Sequence, residues 1–464
     1  MFELLFSINH DSPTPMYHQI YQYLRTQILS GKIAKNTKLP SVRRLAEQLN
    51  VSRNTTQVAY EQLQSEGYIR SENKKGYYVE AMIPDDLLAF DTKKQSVSGE
   101  PLKKPELIDF KLGTVDEANF PFKKWRMLTN KVMKDPDMYS YGDKQGDRWL
   151  RMELEDYLFQ SRGVKTSADQ IIIGGSTQQL LVLASLLLRD TVQSIAVEDP
   201  GYDVARELFS LMSFSVHPIP VTEDDGMMID PLLLADTRLV YVTPTHHFPF
   251  GGTIPVSQRV QLLQWANEVN GYIIEDDYDS EFRYIHHPVP SLQSIDSSQR
   301  VIYMGTFSKA LLPTIRVSYM ALPENLMMEY RKNMAVFEQT ASAIHQRTLA
   351  FFMSEGHWYP HLRKMKAIYK RKMNLLINEL TKHFGDVITI KGGHSGLFII
   401  MEVKIDVSEE QLLVDAYEGG VVLYPCSRYY VNEQPVYPHV QIGLGNLSEE
   451  EIVGGVSLLA SAWL

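Results

Sequence analysis

The sequence predicts a small α+β head, followed by a larger α/β body whose C-terminal part forms a smaller α+β lobe. Two observations separate the head from the body. The head has more Lys and Arg than Asp and Glu while the rest of the chain is acidic, and a stretch rich in Pro, Lys, Gln, Ser and Gly follows it. In the body, short apolar runs alternate with amphipathic helical stretches. We therefore expect a head at residues 1–80, a linker at 81–106 and a body at 107–464.

The composition is that of an ordinary globular protein, with 44% hydrophobic and 22% charged residues, which argues against wholesale disorder. The chain has 464 residues, enough for about two to four domains. Its net charge of −10 combines a head of +3 with a remainder of −13. This asymmetry indicates that the two parts have different tasks.

Several classes of protein and site are excluded or disfavoured. The single cysteine, Cys426, excludes an intramolecular disulfide and any zinc site built on several cysteines. No metal site is expected at His246 and His247, because adjacent side chains diverge. No apolar run approaches the roughly 20 residues of a membrane span, and the N-terminus lacks the basic region of a signal peptide. We therefore expect a cytoplasmic protein with no membrane partner.

Three helices and a hairpin are expected in the head. Apolar residues recur at helical spacing after Pro15, and Gly31 marks the end of this first helix. Ser41 is suited to cap the second helix and Ser52 the third. The β-prone runs on either side of residues 73–76 then predict a β-hairpin.

The second and third helices, joined by a tight turn, are typical of a helix-turn-helix that reads DNA. A recognition helix presents small polar and basic side chains at its N-terminus, so that its backbone can approach base edges. The candidate DNA-reading residues are Ser52, Arg53, Asn54, Thr55 and Gln57. Arg43 and Arg44 are suited to phosphates, and the hairpin tip of Lys74, Lys75 and Gly76 is suited to the minor groove. The alternative is a packing or dimerisation unit whose basic side chains only solvate a surface.

A longer motif surrounds these residues from position 39 to position 79: LPSVRRLAEQLNVSRNTTQVAYEQLQSEGYIRSENKKGYYV. Over its whole length it resembles the winged helix-turn-helix of GntR-type bacterial regulators. The matching parts are the LPS-x-R entry, the LAEQL-x-VSR turn, the EGY-I strand start and the KGYYV wing. The resemblance implies that double-stranded DNA is contacted by Arg43, Arg53, Asn54 and Thr55, with Gly76 in the wing.

From residue 107 onward, apolar runs alternate with helical stretches, which predicts a mostly parallel sheet. The strand-like runs are QIIIGG, SIAVEDP, RLVYVTP, GYIIEDD and RVIYMGT, and the helical stretches include STQQLLVLASLLLRD and SQRVQLLQWANEVN. The final part of the chain mixes helices with GLFIIMEV, GVVLYP and HVQIGLG, which predicts the smaller α+β lobe.

One lysine follows a strand-like run in a setting that suits pyridoxal phosphate. Lys309 lies in YMGTFSKALLPTIR, with Thr306 and Ser308 before it and Arg316 after it. Hydroxyls and an arginine bind phosphate, and a lysine beside them is placed to form a Schiff base with this cofactor. A surface lysine is the plainer reading of a Ser-Lys pair, so the prediction depends on the segments that accompany it.

Three further segments carry groups that such a cofactor needs. In GYIIEDDYDSEF an acid at a strand end is placed to pair with the pyridine nitrogen, and spacing does not choose among Glu275, Asp276 and Asp277. Tyr278 is suited to bond the phenolic oxygen O3′, and Tyr202, in EDPGYDVAR, to stack on the ring. The phosphate-binding candidates at a helix N-terminus are Gly175, Ser176 and Thr177. A solvated acidic loop and a core tyrosine are the alternatives for the acids and for Tyr202.

These segments, in this order over residues 107–464, are similar to those of fold-type I aminotransferases, the group that includes aspartate aminotransferase. The roles that the resemblance implies are Lys309 as the Schiff-base lysine, Asp276 at the pyridine nitrogen, Tyr278 at O3′ and Tyr202 on the ring. The residues that it implies near the phosphate are Ser176, Thr177, Thr306, Ser308 and Arg316.

A GntR-type head joined to an aminotransferase-like body is the architecture of MocR-type transcription regulators, the subfamily that contains the γ-aminobutyrate-responsive GabR. The resemblance implies a head-to-tail homodimer, pyridoxal 5′-phosphate as cofactor, and a small amino compound that alters how the heads hold promoter DNA. Two alternatives stay open: a working aminotransferase tethered to DNA, and a regulator that senses pyridoxal phosphate itself. The cofactor residues predict binding and do not distinguish sensing from turnover.

Arg428, in YPCSRYY, matches the arginine that holds a substrate α-carboxylate in the aminotransferases, a bidentate task that suits arginine. The chain departs from the family pattern at two places. It has His246-His247-Phe248 where an Asn usually precedes the Pro of the cofactor loop. After Tyr202 come Asp203 and Val204, where a GabR-like sensor is expected to present a second carboxylate-binding arginine.

Overall fold

The computed structural model describes residues 6–9, 12–73, 75–80, 107–222, 226–284, 290–333 and 336–464. The chain divides into two compact units, Met1–Leu102 and Lys103–Leu464. The expected linker at 81–106 lies outside the described residues, as does Lys74 of the hairpin tip.

The first unit has the predicted three helices and hairpin. Its elements are α1 (Met16–Leu29), α2 (Val42–Leu49), α3 (Arg53–Ser65), β1 (Ile69–Glu72) and β2 (Gly76–Val79). The side chains of Ser41 and Ser52 accept the backbone N–H groups of Arg44 and Thr55, at 3.2 and 3.1 Å, and so cap α2 and α3. Since β1 and β2 pair antiparallel, the predicted winged helix-turn-helix is confirmed.

The three helices of the head meet in a small apolar core. Leu24, Leu45 and Leu63 are fully buried there, and each such side chain contributes about 1.5–3 kcal/mol to stability. The ring of Tyr60 on α3 meets Tyr77 of the hairpin edge to face, with 4.8 Å between the ring centres. This contact fixes the wing against the recognition helix.

The second unit is the predicted α/β body with its smaller lobe. Its strands are β3 (Ile108–Asp109), β4 (Ile171–Gly174), β5 (Ser194–Asp199), β6 (Ser215–Thr222), β7 (Gly226–Met227), β8 (Leu239–Val242), β9 (Tyr272–Asp277), β10 (Val301–Thr306), β11 (Ser318–Ala321), β12 (Ile388–Gly392), β13 (Phe398–Val403), β14 (Val421–Val422), β15 (Tyr424–Pro425) and β16 (His439–Gly443). Its helices are α4 (Phe122–Val132), α5 (Arg148–Arg162), α6 (Thr177–Leu188), α7 (Asp203–Leu211), α8 (Ile229–Leu234), α9 (Val256–Glu268), α10 (Glu324–Asn333), α11 (Ala343–Ser354), α12 (Trp358–Phe384), α13 (Glu409–Glu418) and α14 (Glu449–Trp463).

A mixed eight-stranded sheet, in the order β4-β11-β10-β9-β8-β5-β6-β7, forms the centre of the body. Strands β10, β9, β8, β5 and β6 are parallel neighbours, whereas β11 runs antiparallel to both β10 and β4. Alternate residues of β8 enter different cores: Tyr241 packs with α6, α7 and α10, and Val240 and Val242 pack with α8 and α9. Helices therefore cover both faces of the sheet, as a parallel sheet requires.

The smaller lobe contains the antiparallel sheet β12-β13-β16-β15. The predicted run GVVLYP forms two short strands, of which β14 pairs with β3 from the beginning of the body. Within the described residues, no helix combines the length and apolar character needed to cross a membrane. The same residues contain no group of three or more His, Cys, Asp or Glu side chains that could hold a metal ion.

The parallel strands bring their carboxyl ends to one edge of the sheet. Strand β5 ends at Asp199, β8 at Val242, β9 at Asp277 and β10 at Thr306. Ligands of α/β proteins bind at this edge, and the predicted cofactor segments follow these strands.

Candidate functional sites

A cavity of about 220 Å³ lies at this edge of the sheet. The predicted residues that line it are Ser176, Thr177, Tyr202, Asp276, Tyr278, Thr306, Ser308, Lys309 and Arg316. Gly175 and Arg428 are not part of its lining. The backbone N–H of Gly175 instead donates to Thr340 at 3.1 Å.

The three neighbouring acids of β9 have different partners. Glu275 accepts the backbone N–H groups of Leu292 and Gln293 at 2.7 and 2.8 Å. Asp277 accepts from the Arg162 guanidinium at 2.6 Å and from the Tyr303 hydroxyl at 2.5 Å. Asp276 is the one of the three that lines the cavity.

One oxygen of the Asp276 carboxyl is engaged and the other is open. Oδ2 accepts the hydroxyl proton of Tyr241 at 2.7 Å, whereas Oδ1 is buried without a hydrogen-bond partner among the described residues. Burial raises the pKa of Asp276 to about 7, while the Tyr241 hydrogen bond acts to lower it. A buried carboxyl with an open oxygen is suited to a ligand that brings an N–H donor or a positive charge.

Lys309 lies in the wall of the same cavity. Burial lowers the pKa of its ammonium group below the usual range, although the nearby carboxyls of Asp279 and Asp276 oppose that change. A lysine with a lowered pKa has more of the neutral amine, which is the form that attacks a carbonyl group.

Hydroxyl groups and an arginine line the end of the cavity beside α6. The Ser176 side chain caps α6 by accepting the N–H of Gln179 at 3.2 Å, so the free N–H groups and the dipole of this helix point to the cavity. Thr306 donates to Ser308 at 3.0 Å and accepts from Ser318 at 2.9 Å. Arg316, in the left-handed conformation at φ 55°, adds a guanidinium to the lining. This set has the donor chemistry that a phosphate needs.

The hydroxyl of Tyr278 is held by a buried histidine and aspartate. Its oxygen lies 3.1 Å from Nδ1 of His246, and both Asp279 oxygens lie 2.8 Å from the same nitrogen. An ionised carboxylate only accepts, so the proton is on Nδ1 and the Tyr278 proton is free to be donated elsewhere. The ring fits because residue 396 is a glycine: a Cβ there would lie 2.2 Å from Cε1 of His246.

Phe248 lines the cavity where the family pattern has an Asn, and it brings no donor. The hydroxyl of Tyr202 accepts from Gln178 at 3.0 Å. The Tyr202 ring packs edge to face against Phe248, with 5.7 Å between the centres. These rings give one side of the cavity an aromatic surface.

Arg428 lies outside the cavity lining and is paired with Asp203. Its Nε is 2.5 Å from Oδ2 of Asp203, and a second guanidinium nitrogen contacts the same oxygen. Asp203 is buried, whereas the Arg428 side chain is 56% exposed. The predicted carboxylate-binding arginine therefore already holds a carboxylate of the chain itself.

In the head, the predicted DNA-reading residues form the first turns of α3. The side chains of Arg53 and Asn54 are exposed. The Ser52 hydroxyl, besides capping the helix, lies 2.7 Å from the hydroxyl of Thr55. The exposed donors of this turn are thus Arg53 and Asn54, at the end of the helix that enters a DNA groove in such motifs.

The other predicted DNA contacts surround this turn. Three of them are paired with a neighbouring acid: Arg43 with Glu47 at 3.0 Å, Gln57 with Glu61 at 2.8 Å and Lys75 with Glu72 at 3.3 Å. Exposed pairs of this kind contribute little to stability because water screens them, so a DNA phosphate can replace the acid. Arg44 is exposed on α2, and Gly76 has a φ of 110° at the start of the wing strand.

Sequence reasoning missed several residues of the cavity, including Gln178, Tyr241 and Thr243. Tyr241 and Thr243 belong to RLVYVTP, which is recognised only as a buried strand and the loop after it. An Asp279 partner for His246 could not be inferred, because the two residues are 33 positions apart. A polar residue at the carboxyl end of each parallel strand is the one signal that could have found Thr243.

Two family models match the chain. Residues 105–453 match "Aminotransferase class I and II", and residues 16–79 match "Bacterial regulatory proteins, gntR family". Among solved structures, an archaeal alanine:glyoxylate aminotransferase has a TM-score of 0.71 and 23% identity, covering 76% of this chain and 90% of its own. At that identity the likeness concerns the fold.

Curated relatives match over nearly the whole length. The uncharacterized HTH-type transcriptional regulator YhdI of Bacillus subtilis is 40% identical, over 98% of this chain and 97% of its own. The probable rhizopine catabolism regulatory protein MocR of Rhizobium meliloti is 31% identical, over 98% of this chain and 95% of its own. The head and the body occur together in these relatives, in the same order. The chain therefore belongs to the MocR-type transcription regulators, in which a gntR-family helix-turn-helix head precedes an aminotransferase class I and II body.

Proposed function

We propose that this regulator binds pyridoxal 5′-phosphate at Lys309, and that a small amino compound at the same site changes how the head holds promoter DNA. The observation that carries the proposal is the open Oδ1 of Asp276 in one cavity with Lys309. Burying an acid beside an amine without pairing them is costly. A ligand with a basic ring nitrogen and a carbonyl group suits both residues, since the nitrogen can pair with Asp276 and the carbonyl can react with Lys309.

The rest of the lining fits the same cofactor. Arg316 and the hydroxyls beside α6 are suited to its phosphate, and Tyr202 to the face of its ring. Burial raises the pKa of Tyr278 well above its usual range, so the phenol keeps the proton that it can donate to O3′. When bound, pyridoxal phosphate supplies an aldehyde that condenses with primary amines and a ring that accepts electrons.

The amino compound acts through Lys309 in this proposal. A primary amine that takes the place of Lys309 leaves the lysine free to gain a proton, which changes the charge of the cavity. Such a change can bias the body between two conformations that hold the heads differently. The proposal includes a head-to-tail homodimer in the cytoplasm, with the head at 1–80, a linker at 81–106 and the body at 107–464.

The cofactor step is tested on the full-length protein incubated with pyridoxal phosphate. We expect a visible absorbance band that is absent from Lys309→Ala and retained by Lys404→Ala, a variant of an exposed lysine. Borohydride reduction and peptide mass spectrometry should find the added mass on Lys309. An unchanged band in Lys309→Ala would refute the assignment.

The regulatory step is tested by promoter-DNA affinity with and without a panel of amines. We expect amines that alter the absorbance band to alter DNA affinity, and neither effect in Lys309→Ala. Sustained keto-acid production would instead identify a working aminotransferase. A DNA response to pyridoxal phosphate without any amine would identify a cofactor sensor.

A further inference from the structure

One histidine of the His246-His247-Phe248 segment contacts the wall of the cavity without lining the cavity itself. His246 is buried and stacks on the cavity-lining Tyr278, with 5.6 Å between the ring centres and 29° between the planes. Its Nδ1 is 3.1 Å from the Tyr278 hydroxyl oxygen and 2.8 Å from each oxygen of the buried Asp279 carboxylate. A buried carboxylate is thus connected through an imidazole to a phenol of the cavity.

The surroundings of the imidazole favour a proton on Nδ1 over one on Nε2. Within the described residues, Nε2 of His246 is buried without a hydrogen-bond partner. The backbone of Gly251 packs against it, since a Cβ added there would lie 3.2 Å from Nε2. A proton on Nε2 would be a buried donor with no acceptor, which is unfavourable, whereas a proton on Nδ1 faces a carboxylate. Both nitrogens therefore favour the same tautomer.

This tautomer determines where the Tyr278 hydroxyl can donate its proton. A ring nitrogen that carries a proton cannot accept another one in a hydrogen bond, so His246 does not take the phenol proton. Among the described residues the structure gives this hydroxyl no other partner, and Tyr278 lines the cavity. The phenol is therefore left to donate into the cavity. Phe248, at the place of the family's Asn, supplies no donor of its own.

We propose that His246 and Asp279 are positioning residues, which keep the Tyr278 phenol as a donor to the ring oxygen O3′ of pyridoxal phosphate. The inference rests on the proposed function, because it requires that cofactor in the cavity. Neither residue has to touch the cofactor, since Asp279 acts on the His246 ring and the ring acts on Tyr278.

The charge of Asp279 has an effect of opposite sign, which separates this role from simple electrostatics. Burial lowers the pKa of Lys309, and the Asp279 carboxylate opposes that change. Burial raises the pKa of Asp276, and the Asp279 charge adds to the rise. Removing the charge would leave more neutral amine at Lys309 and more carboxylate at Asp276, and both changes favour the cofactor. A loss of affinity in a variant without this charge therefore has to come through His246 and Tyr278.

The test measures the affinity for pyridoxal phosphate and for 3-deoxypyridoxal 5′-phosphate, which lacks only the O3′ hydroxyl. Equilibrium dialysis of the full-length protein at pH 8 gives the ratio of the two dissociation constants for each variant. Asp279→Asn replaces a group that only accepts with an amide that also donates, so Nδ1 of His246 can lose its proton and accept that of the phenol. We expect the preference for the cofactor with the hydroxyl to fall by about tenfold.

Tyr278→Phe removes the donor itself and should lower the preference to the same extent, and adding Asp279→Asn to it should change nothing further. If Asp279→Asn does not fold, two variants of His246 replace it. His246→Leu removes Nδ1 and should lower the preference, whereas His246→Asn keeps an N–H as many bonds from Cβ as Nδ1 and should retain most of it. The matched control is Glu281→Gln, which removes a nearby acid that accepts from Tyr157 at 2.7 Å and does not line the cavity. This control should keep the wild-type preference.

Each outcome has a definite meaning. An unchanged ratio in Asp279→Asn, or in His246→Leu where that variant replaces it, overturns the inference even if the affinity for both compounds falls, because only a structural role is then left. An equal fall of the ratio in Glu281→Gln overturns it too. Nitrogen NMR of the histidine-labelled protein without cofactor, read against His246→Asn, tests the tautomer separately, and a proton on Nε2 of His246 would also overturn the inference. A wild type that binds neither compound refutes the proposed function itself, so the two failures are distinguishable.

Discussion

The hydrogen bond from Tyr241 to Asp276 offers the sharpest test of the proposed cofactor site, and we expect Tyr241→Phe to weaken pyridoxal phosphate binding in a pH-dependent way. The phenol is 1% and the acid 4% exposed, and their oxygens are 2.7 Å apart. The substitution removes one oxygen atom and keeps the ring. Its effect should therefore come from the carboxyl group and not from packing.

The size of the effect follows from the pKa of Asp276, which is about 7 in the wild type. A buried hydrogen bond to a charged group contributes about 1.5–3 kcal/mol, and one pKa unit corresponds to about 1.4 kcal/mol. Losing the bond should raise the pKa of Asp276 by roughly one to two units. At pH 7.5 the ionised fraction then falls from about three quarters to roughly one tenth.

Because the ionised carboxylate is the form that pairs with a protonated pyridine nitrogen, affinity at pH 7.5 should fall by about tenfold. At pH 9 both proteins have mostly ionised Asp276, so their affinities should agree to within about twofold. Equilibrium dialysis of the two proteins at pH 7.5 and pH 9 measures this ratio. Titration of the cofactor itself affects both proteins equally, so it cancels in the ratio of their affinities at each pH.

The chain offers a matched control in Tyr303→Phe, which removes a hydroxyl that donates to the adjacent Asp277 at 2.5 Å. Tyr303 is equally buried, but it does not line the cavity. Both variants should lose about 1–3 kcal/mol of unfolding free energy, and only Tyr241→Phe should lose cofactor affinity. An equal loss of affinity in both, or a defect that persists at pH 9, would refute the reasoning.

Three further predictions concern the head and the buried charges. Arg53→Ala should weaken promoter binding by about 1–3 kcal/mol if Arg53 reads a base. This loss, taken relative to the affinity for random DNA, should be larger than that of Arg25→Ala, a variant of an exposed arginine on α1. Equal losses in the two variants would contradict base reading. The denaturant midpoint of Glu198→Gln should rise relative to that of the wild type as the pH increases from 5.5 to 8. Burial raises the pKa of Glu198 from 4.5 to about 8, so the folded state keeps a proton that the unfolded state releases, and wild-type stability falls over this range; a constant difference would contradict it. Arg162→Met should cost about 3–5 kcal/mol of unfolding free energy by leaving Asp277 buried without its cation, and Asp277→Asn in the same protein should recover part of the loss.

Local sequence patterns were enough to predict most elements of the fold. The serine caps of α2 and α3 were predictable because each precedes an apolar helical period, and β5, β8, β9 and β10 follow from uninterrupted apolar runs. Strand β6 was missed because Pro218 and Pro220 interrupt it, and proline disfavours a strand inside a sheet. The pairing of β3 with β14 could not be predicted either, because it joins the two ends of the body.

The cavity was predictable only in part. Residues alternate between the faces of a strand, so Asp276 had to point away from Glu275 and Asp277. The sequence does not say which face of β9 borders a cavity, and the family resemblance supplied the choice of Asp276. Contacts between distant segments, such as the one from Tyr241 to Asp276, depend on the order of the strands in the sheet, which no local pattern specifies.

The charge outside the head, −13, gives a poor account of this site, because its buried acids are stabilised in different ways. Asp277 has the guanidinium of Arg162 and Asp203 has that of Arg428. Asp276 has a phenol on one oxygen and nothing on the other among the described residues. A carboxyl in that position is costly to ionise until a cation arrives, so we infer that the ligand supplies the positive charge missing beside Oδ1 of Asp276. Asp277 and Asp203 are then structural, whereas Asp276, which lines the cavity, is the acid placed to bind the proposed cofactor.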